Sequence, residues 1–375
     1  MSTLAIIGAG ISGLLTAYYA LSNRTISQII LFEQRAKIPR KHCAGIISPE
    51  TLSLLPYGLK YVENKYRNIE FHILPYIRIT LRCSNTIAYK IDRVKHEMEL
   101  YRTLIANGID IQLSKKILMI DTKGGNDLVI HDLSTKDVIR KRFDYIIIGE
   151  GYPNKLSLDV GLNAMIKPLH GVQQDVIYSS KNVDKDTLYV FFDPIIFGGG
   201  FGWFIPITEN RGVIGLACNE KPMEMLSIFR KILSKRLKMS INSITDTYGG
   251  KVLQGYPKSI CRDNICALGD AIGMVKSISG GGLYAISRMS NVYARNIGIN
   301  DIARQKEVRE MLSELWIQYI FKRSLWRIVG MLKNSMFLDS TFSIELEVSQ
   351  LDYDRHEKLP LDLIRYLISF KLRQG

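Results

Sequence analysis

Almost at its first residue the chain reads Leu4-Ala5-Ile6-Ile7-Gly8-Ala9-Gly10-Ile11-Ser12-Gly13. Four apolar residues, which predict a buried strand, lead directly into three glycines with the spacing G-x-G-x-x-G. A second apolar segment, residues 28–33, ends in Glu33. The order of strand, glycine turn, helix, strand and acid predicts a Rossmann unit that binds a dinucleotide.

Each glycine of this motif has its own task. Gly8 allows the tight turn, Gly10 lets the backbone approach a pyrophosphate, and Gly13 lets the helix pack closely on the strand. The pyrophosphate would lie at the N-terminus of the helix predicted from Ile11, where free N–H groups favour negative charge. Glu33 would accept hydrogen bonds from the adenosine ribose. A glycine loop that serves only as a turn is the alternative, and the motif alone leaves NAD and FAD both open.

Later segments favour FAD. After Glu33 the chain lacks the alternation of strands and helices that a nicotinamide dehydrogenase has, and runs such as residues 76–81 predict an inserted sheet. Residues 143–149 and 264–268 predict two more buried strands; Gly269-Asp270 follows the second, and Gly280-Gly281-Gly282 comes soon after. A carboxylate at a strand tip can hold a ribityl chain, and bare amides at a helix start suit the pyrimidine edge of a reduced flavin.

The composition bounds the remaining possibilities. A hydrophobic fraction of 46% and a charged fraction of 23% are those of a folded globular protein. The net charge of +14 comes from basic residues spread along the chain, so we predict no nucleic-acid partner. An anionic membrane surface, a phosphorylated ligand and a lysine-rich solvated surface each explain this charge. The five cysteines show no metal spacing, and we interpret Cys261 and Cys266 as core or incidental residues. Without a signal peptide or an apolar membrane span, we expect a cytoplasmic protein.

Several motifs together resemble the FAD-dependent geranylgeranyl reductase family, within the larger p-hydroxybenzoate hydroxylase-like flavoprotein group. Besides the first glycine turn, they are residues 39–49, 91–93, 200–206 and 268–283. Cys43-Ala44-Gly45 and the segment 202–206, Gly-Trp-Phe-Ile-Pro, discriminate this family from the wider group. The chain departs from the pattern at Glu150, where the group has Asp, and at Phe201, where tyrosine is usual.

The resemblance implies a set of FAD contacts in addition to the glycines. With the glycines, the predicted cofactor-binding residues are Gly8, Gly10, Ser12, Gly13, Glu33, Gln34, Cys43, Ala44, Ile46, Arg93, Leu118, Gly269, Asp270, Gly281, Gly282 and Leu283. Cys43 would lie near the isoalloxazine, where it could tune the flavin or donate a proton, and it is the candidate catalytic residue. Phe201, Trp203, Phe204 and Pro206 would line a cavity for an isoprenoid chain; a sheet core is the alternative interpretation.

We therefore predict an α/β fold, α+β overall, with a Rossmann-type FAD-binding domain, an inserted, mostly antiparallel substrate sheet and a helical C-terminal region. The FAD domain takes residues 1–65, 91–165 and 250–300, the sheet takes 66–90 and 166–249, and the helical region takes 301–375. Amphipathic stretches at 311–333 and 361–372 suit either a membrane interface or packing on the core.

The resemblance implies reduction of carbon–carbon double bonds in a polyprenyl lipid, with NAD(P)H or a ferredoxin-like carrier as electron donor and peripheral contact with the inner face of the membrane. No metal is expected. Two alternatives stay open. One is a flavin monooxygenase or a quinone-linked oxidoreductase of the same superfamily. The other is a non-catalytic lipid-binding protein that contains FAD.

Overall fold

The computed structural model describes residues 2–73, 77–335, 342–348 and 351–355. Along these residues the strands are β1 Ser2–Ile7, β2 Ile26–Phe32, β3 Ile46–Ile47, β4 Val62–Tyr66, β5 Asn68–Ile73, β6 Ile77–Cys83, β7 Ala88–Ile91, β8 Asp110–Gln112, β9 Lys115–Asp121, β10 Asn126–Asp132, β11 Val138–Phe143, β12 Tyr145–Ile148, β13 Asn163–Ser180, β14 Thr187–Phe192, β15 Phe201–Pro206, β16 Arg211–Cys218, β17 Met239–Ser259, β18 Cys261–Arg262, β19 Ile265–Ala267 and β20 Phe342–Val348. The helices are α1 Ile11–Ala20, α2 Pro49–Ser53, α3 Arg93–Ala106, α4 Lys155–Asp159, α5 Pro194–Phe197, α6 Pro222–Leu237, α7 Leu283–Asn296 and α8 Lys306–Ser335.

A six-stranded sheet in the order β18-β19-β12-β1-β2-β8 forms the nucleotide-binding half. All its pairs are parallel except β18–β19. Its central strands are apolar and buried, as expected where helices such as α1 and α7 cover a parallel sheet. The carboxyl ends of β1, β2, β12 and β19 meet at one edge, which brings Gly8, Glu33, Gly149 and Gly269 together.

An eight-stranded sheet in the order β17-β13-β16-β15-β14-β5-β6-β20 forms the second half. It is antiparallel except at β14–β5 and β20–β6. Side chains alternate across it, so Val190 and Phe192 point to one face while Tyr189 and Phe191 pack with α6 on the other. Together the two sheets confirm the predicted fold class.

The C-terminal region differs from the wholly helical one that we predicted. The amphipathic stretch 311–333 lies within α8, but residues 342–348 form β20, which pairs in parallel with β6 at the sheet edge. Alternating apolar and polar residues in Phe-Ser-Ile-Glu-Leu-Glu-Val are typical of such a strand. The stretch 361–372 lies outside the described residues.

A disulfide joins Cys261 and Cys266, a pairing that our interpretation of them as core or incidental residues did not include. Cys266 is buried in the core, and Cys261 packs against it. The hairpin β18–β19 makes them direct cross-strand partners with 4.0 Å between their Cα atoms. The other cysteines are free: Cys43 is exposed, while Cys83 and Cys218 are buried.

None of the helices in the described part of the chain combines the length and the apolar character that a bilayer span requires.

Candidate active site

A cavity of about 1150 Å³ lies between the carboxyl edge of the six-stranded sheet and one face of the eight-stranded sheet. This volume slightly exceeds the usual range for small-molecule sites. The predicted residues that line it are Gly8, Gly10, Ser12, Glu33, Gln34, Cys43, Ala44, Ile46, Arg93, Leu118, Asp270, Gly281, Gly282, Leu283, Phe201 and Trp203. Gly13, Gly269, Phe204 and Pro206 do not line it.

The three N-terminal glycines differ in what surrounds them. A Cβ on Gly8 would lie 2.4 Å from the Gly149 carbonyl oxygen, and one on Gly13 would lie 1.9 Å from the Gly8 carbonyl oxygen. Nothing lies within 4 Å of a Cβ on Gly10, which faces the cavity. α1 starts there without a side-chain cap, so its first N–H groups are available. This open cradle at a helix N-terminus fits a pyrophosphate.

Glu33 is buried at the tip of β2. Its carboxylate accepts hydrogen bonds from the Ala9 N–H and from the backbone and side chain of Arg35, each at 2.9 Å. Arg35 Nη2 also donates to this carboxylate, at 3.3 Å. These contacts occupy the roughly four acceptor positions of an ionised carboxylate, so a ribose hydroxyl would take the place of one Arg35 donor. Arg35 also lines the cavity and was not among the predicted residues.

Arg93 begins α3 and is almost completely buried. Its guanidinium pairs with Glu97 one helical turn further on, but its Nε has no hydrogen-bond partner among the described residues. Burial opposes the charge of Arg93, yet the nearby Glu97, Cys43 and Asp270 raise its pKa above the ordinary value. A buried donor without a partner, at a cavity wall, fits an acceptor atom of a bound flavin.

Asp270 follows β19 and lines the cavity near Arg93. Burial raises the pKa of this carboxyl to about 6, while Arg93 opposes that shift. Gly269 holds the turn with φ +70°, and a Cβ there would lie 2.4 Å from Ser12 Oγ. Gly269 therefore supports the site by letting Ser12 approach, while Asp270 presents a carboxylate that can accept from ribityl hydroxyls.

The glycine loop before α7 is folded back on itself. The Gly280 N–H donates to the Lys276 carbonyl at 2.8 Å, and the Lys276 N–H donates to the Gly281 carbonyl at 3.0 Å. α7 begins at Leu283, with Gly282 at its N-cap and no side-chain cap. The bare amides of this helix start face the cavity, as predicted for the pyrimidine edge of a flavin.

Cys43 lies on a loop held between the two sheets. Lys41 anchors the loop by ion pairs to Asp175 and Asp246, at 2.5 and 2.8 Å. The Gly45 N–H donates to Cys43 Sγ at 3.4 Å. Desolvation by the surrounding protein and the positive charge of Arg93 both lower the pKa of the neighbouring His42.

The aromatic motif divides between the two faces of its strand. Phe201 and Trp203 line the cavity, whereas Phe204 is fully buried on the other face, with its ring 5.2 Å from that of Tyr178. Pro206 uses its carbonyl to accept from Tyr66 Oη at 2.6 Å. Strand alternation explains why Trp203 and Phe204 cannot both face the cavity.

Several cavity residues carry no motif in the sequence. Apolar side chains of the neighbouring strands extend the wall made by Phe201 and Trp203. They are Ile69, Phe71, Ile79, Leu188, Val190 and Phe192. Gly215 on β16 was missed too: a Cβ there would lie 2.4 Å from the Trp203 ring, so the missing side chain lets the indole lie across the strand.

The segment 351–355 reaches back to the cavity and forms part of its wall. Asp354 is buried there and pairs with Lys276 at 2.7 Å. It also accepts from the hydroxyls of Ser48 and Thr51. Burial alone would raise the pKa of Asp354, but Lys276 and these hydroxyls hold it below its ordinary value. The pair therefore joins the glycine loop, α2 and the C-terminal segment.

Glu150, a departure from the family pattern, acts as a helix cap. It accepts from the N–H groups of Leu156 and Ser157 in the first turn of α4, at 3.1 and 2.8 Å. Burial raises its pKa despite these hydrogen bonds.

The sequence of the chain matches no protein-family model. Digeranylgeranylglycerophospholipid reductase from Methanocaldococcus jannaschii is 22% identical over 337 residues, which cover 86% of this chain and 85% of that protein. The chain is similar to digeranylgeranylglycerophospholipid reductases. This likeness confirms the resemblance that the motifs predicted.

Solved structures share the fold. A geranylgeranyl bacteriochlorophyll reductase-like protein from Thermoplasma acidophilum aligns with a TM-score of 0.75 at 15% identity, over 97% of this chain and 96% of that one. A myxobacterial chondrochloren halogenase, an FAD-dependent enzyme, aligns with a TM-score of 0.61 at 15% identity, over 98% and 90%. The chain therefore has a fold that is also found in a known FAD-dependent enzyme.

Proposed function

We propose that this protein is an FAD-dependent reductase that saturates carbon–carbon double bonds of polyprenyl chains, in an ether-lipid precursor such as a digeranylgeranylglycerol phospholipid. One observation carries the proposal: a single continuous cavity is lined at one side by Gly10, Arg93 and Asp270 and at the other by an apolar sheet face. An elongated apolar substrate and a dinucleotide can therefore occupy neighbouring parts of one space.

The cofactor would be held by residues that already have the required chemistry. Gly10 leaves room for a pyrophosphate, Glu33 would accept from ribose in place of an Arg35 donor, and Asp270 would accept from the ribityl chain. The Nε of Arg93, which has no partner among the described residues, and the uncapped amides at Gly282 would donate to the flavin. Bound and reduced, FAD supplies a hydride to the substrate.

The apolar wall accounts for the remaining requirements of the reaction. An isolated alkene accepts a hydride poorly, so the double bond must be held in place and water must be excluded. Phe201 and Trp203, with the aliphatic side chains of β5 and β14, provide such a wall. The second hydrogen arrives as a proton, and Cys43 Sγ is the side chain that we assign to hold it at the cavity.

The reductant would be NAD(P)H or a ferredoxin-like carrier, since the sequence contains one dinucleotide-binding motif, which the FAD would occupy.

Contact with an anionic membrane is a further part of the proposal. α8 exposes Trp316, Ile317 and Ile320, which are 48%, 44% and 40% accessible, on a chain of net charge +14. Lys322, on the same helix, is buried. Co-sedimentation with anionic vesicles but not with zwitterionic ones tests this contact.

The reductase activity is tested by mass spectrometry of the lipid. Dithionite-reduced holoprotein is incubated without oxygen with a geranylgeranyl phospholipid, and we expect product masses raised by whole hydrogen pairs. The variant Cys43→Ser should keep its flavin spectrum and lose most of this product. Unchanged lipid in the presence of bound flavin would contradict the proposal. Hydroxylation of a phenol with oxygen would favour a monooxygenase instead.

A further inference from the structure

Two lysines without a counter-charge lie together near the cavity, although neither of them lines it. Lys322, on the inward face of α8, is only 8% exposed, and its ammonium donates to Gln254 Oε1. Lys167 is the direct cross-strand partner of Gln254 in the pair β13–β17, so the two side chains share one face of the sheet. Lys167 Nζ lies 4.0 Å from the position that a Cβ would take at Gly199. We name Lys167, Gln254 and Lys322, with the Gly199 backbone, the lysine cluster.

The cluster has positive charge and no acid to balance it. Within the residues that the structure describes, no carboxylate forms an ion pair with Lys167 or Lys322. Burial and the charge of Lys167 lower the pKa of Lys322 to about 7, as expected for a buried cation that has a like charge nearby and no anionic partner. A buried ammonium is usually paired, so an anion is the missing component.

The cluster also stands in a fixed relation to the cavity. The cross-strand pairs Leu169–Val252 and Lys167–Gln254 follow each other on one sheet face, about 7 Å apart along the strand. Val252 and Phe321, which adjoins Lys322, line the cavity. Gln254 Nε2 donates to the Gly199 carbonyl at 3.2 Å and so ties the cluster to the loop before β15. The lysine cluster therefore lies about one strand repeat beyond Val252, just outside the residues that line the cavity.

We propose that the lysine cluster binds a phosphate group, and that this group is the head of the amphiphilic polyprenyl substrate whose chain fills the cavity. A phosphate can accept from both ammonium groups, and an apolar chain attached to it would run along the sheet toward Val252 and Trp203. The assignment of the phosphate to a substrate headgroup rests on the proposed function. The existence of an anion-binding site does not depend on that function, because free inorganic phosphate could bind the same two lysines.

Binding to the oxidised holoprotein tests this assignment without turnover. The probes are geranylgeranyl monophosphate, geranylgeraniol and inorganic phosphate, measured by calorimetry. Two variants remove one charge each: Lys322→Gln at the buried position and Lys167→Gln at the exposed one, where folding is not at risk. Lys231→Gln is the matched control, because Lys231 is an exposed lysine on α6, which packs on the opposite face of the sheet. Flavin spectra and melting temperatures verify that each variant is folded.

We expect the wild type and the control to bind the lipid phosphate about 10-fold more tightly than the alcohol, as charge-assisted hydrogen bonds provide. In Lys322→Gln and Lys167→Gln this preference should largely disappear, while affinity for the alcohol stays unchanged. Equal binding of phosphate and alcohol by the wild type would overturn the proposal. Inorganic phosphate that binds as tightly as the lipid phosphate would overturn the headgroup assignment. A protein that keeps the preference but adds no hydrogen would contradict the reductase function and leave the site standing.

Discussion

At the scale of single residues, the glycines at the start of the chain separate folding from cofactor binding. Gly10→Ala adds a methyl group that meets nothing in the protein, whereas Gly13→Ala places one against the Gly8 carbonyl. We expect Gly10→Ala to leave the stability of the apoprotein unchanged and to weaken FAD binding more than about 10-fold, because the methyl occupies the pyrophosphate position.

Gly13→Ala should instead lower the free energy of unfolding by about 2 kcal/mol, through forced displacement of packed backbone. Urea unfolding of the apoproteins and fluorescence titration with FAD measure the two effects. Equal FAD affinity in Gly10→Ala and wild type would show that the pyrophosphate does not bind at this turn.

Asp270 makes stability depend on pH. Since the native pKa is raised to about 6, the folded apoprotein binds a proton more readily than the unfolded chain does. The native state is therefore favoured at low pH and loses this contribution as pH rises through 6. Between pH 5 and 7.5 the wild type should lose about 1 kcal/mol relative to Asp270→Asn. A stability difference that is the same at both pH values would show that Asp270 does not titrate in this way.

At the scale of elements, the close approach of β15 and β16 positions the cavity wall. Gly215→Ala would push the Trp203 indole into the cavity, because its Cβ would lie 2.4 Å from the ring. We expect the KM for a polyprenyl substrate to rise up to about 10-fold, through a packing change of about 1 kcal/mol, while the flavin spectrum stays the same. An unchanged KM would mean that the indole does not contact the substrate.

The buried pair Lys276–Asp354 joins three elements that meet at the cavity. Asp354→Ala would leave the Lys276 charge buried without its partner, so the free energy of unfolding should fall by about 3 kcal/mol. Asp352→Ala, two residues earlier and half exposed, removes the same charge and should change stability little. Urea denaturation of both variants checks this; equal losses would contradict the role of the pair.

At the scale of the whole molecule, the sequence patterns predicted those parts of the structure that are formed by residues close together in the chain. The run Leu4–Ile7 with Gly8, Gly10 and Gly13 predicted β1, the turn and α1, because strand, glycine and helix signals lie next to one another. The contacts of Asp354 are an example of structure that no local sequence pattern contains. Its hydroxyl partner Ser48 lies 306 positions away, near the end of the motif 39–49, whereas Asp354 belongs to no motif. The lysine cluster is similar, since β13, β17 and α8 must pack before Lys167 and Lys322 meet.

The two-residue repeat of a β-strand also explains why Phe201 and Trp203 line the cavity while Phe204 does not. Trp203 and Phe204 are neighbours in sequence, and a strand sends neighbours to opposite faces. The sequence indicated the strand, but it did not say which face the cavity would use. Gly215 could have been noticed only with the register of β15 against β16, which the folded sheet defines.

The central claim is that one cavity couples a flavin to a polyprenyl double bond. Its most direct test is a single turnover without oxygen, in which reduced holoprotein is mixed with a geranylgeranyl phospholipid and the flavin absorbance is followed together with the lipid mass. We predict that each flavin oxidised yields one hydrogen pair gained by the lipid. Flavin that stays reduced, or becomes oxidised while the lipid mass is unchanged, would contradict the account.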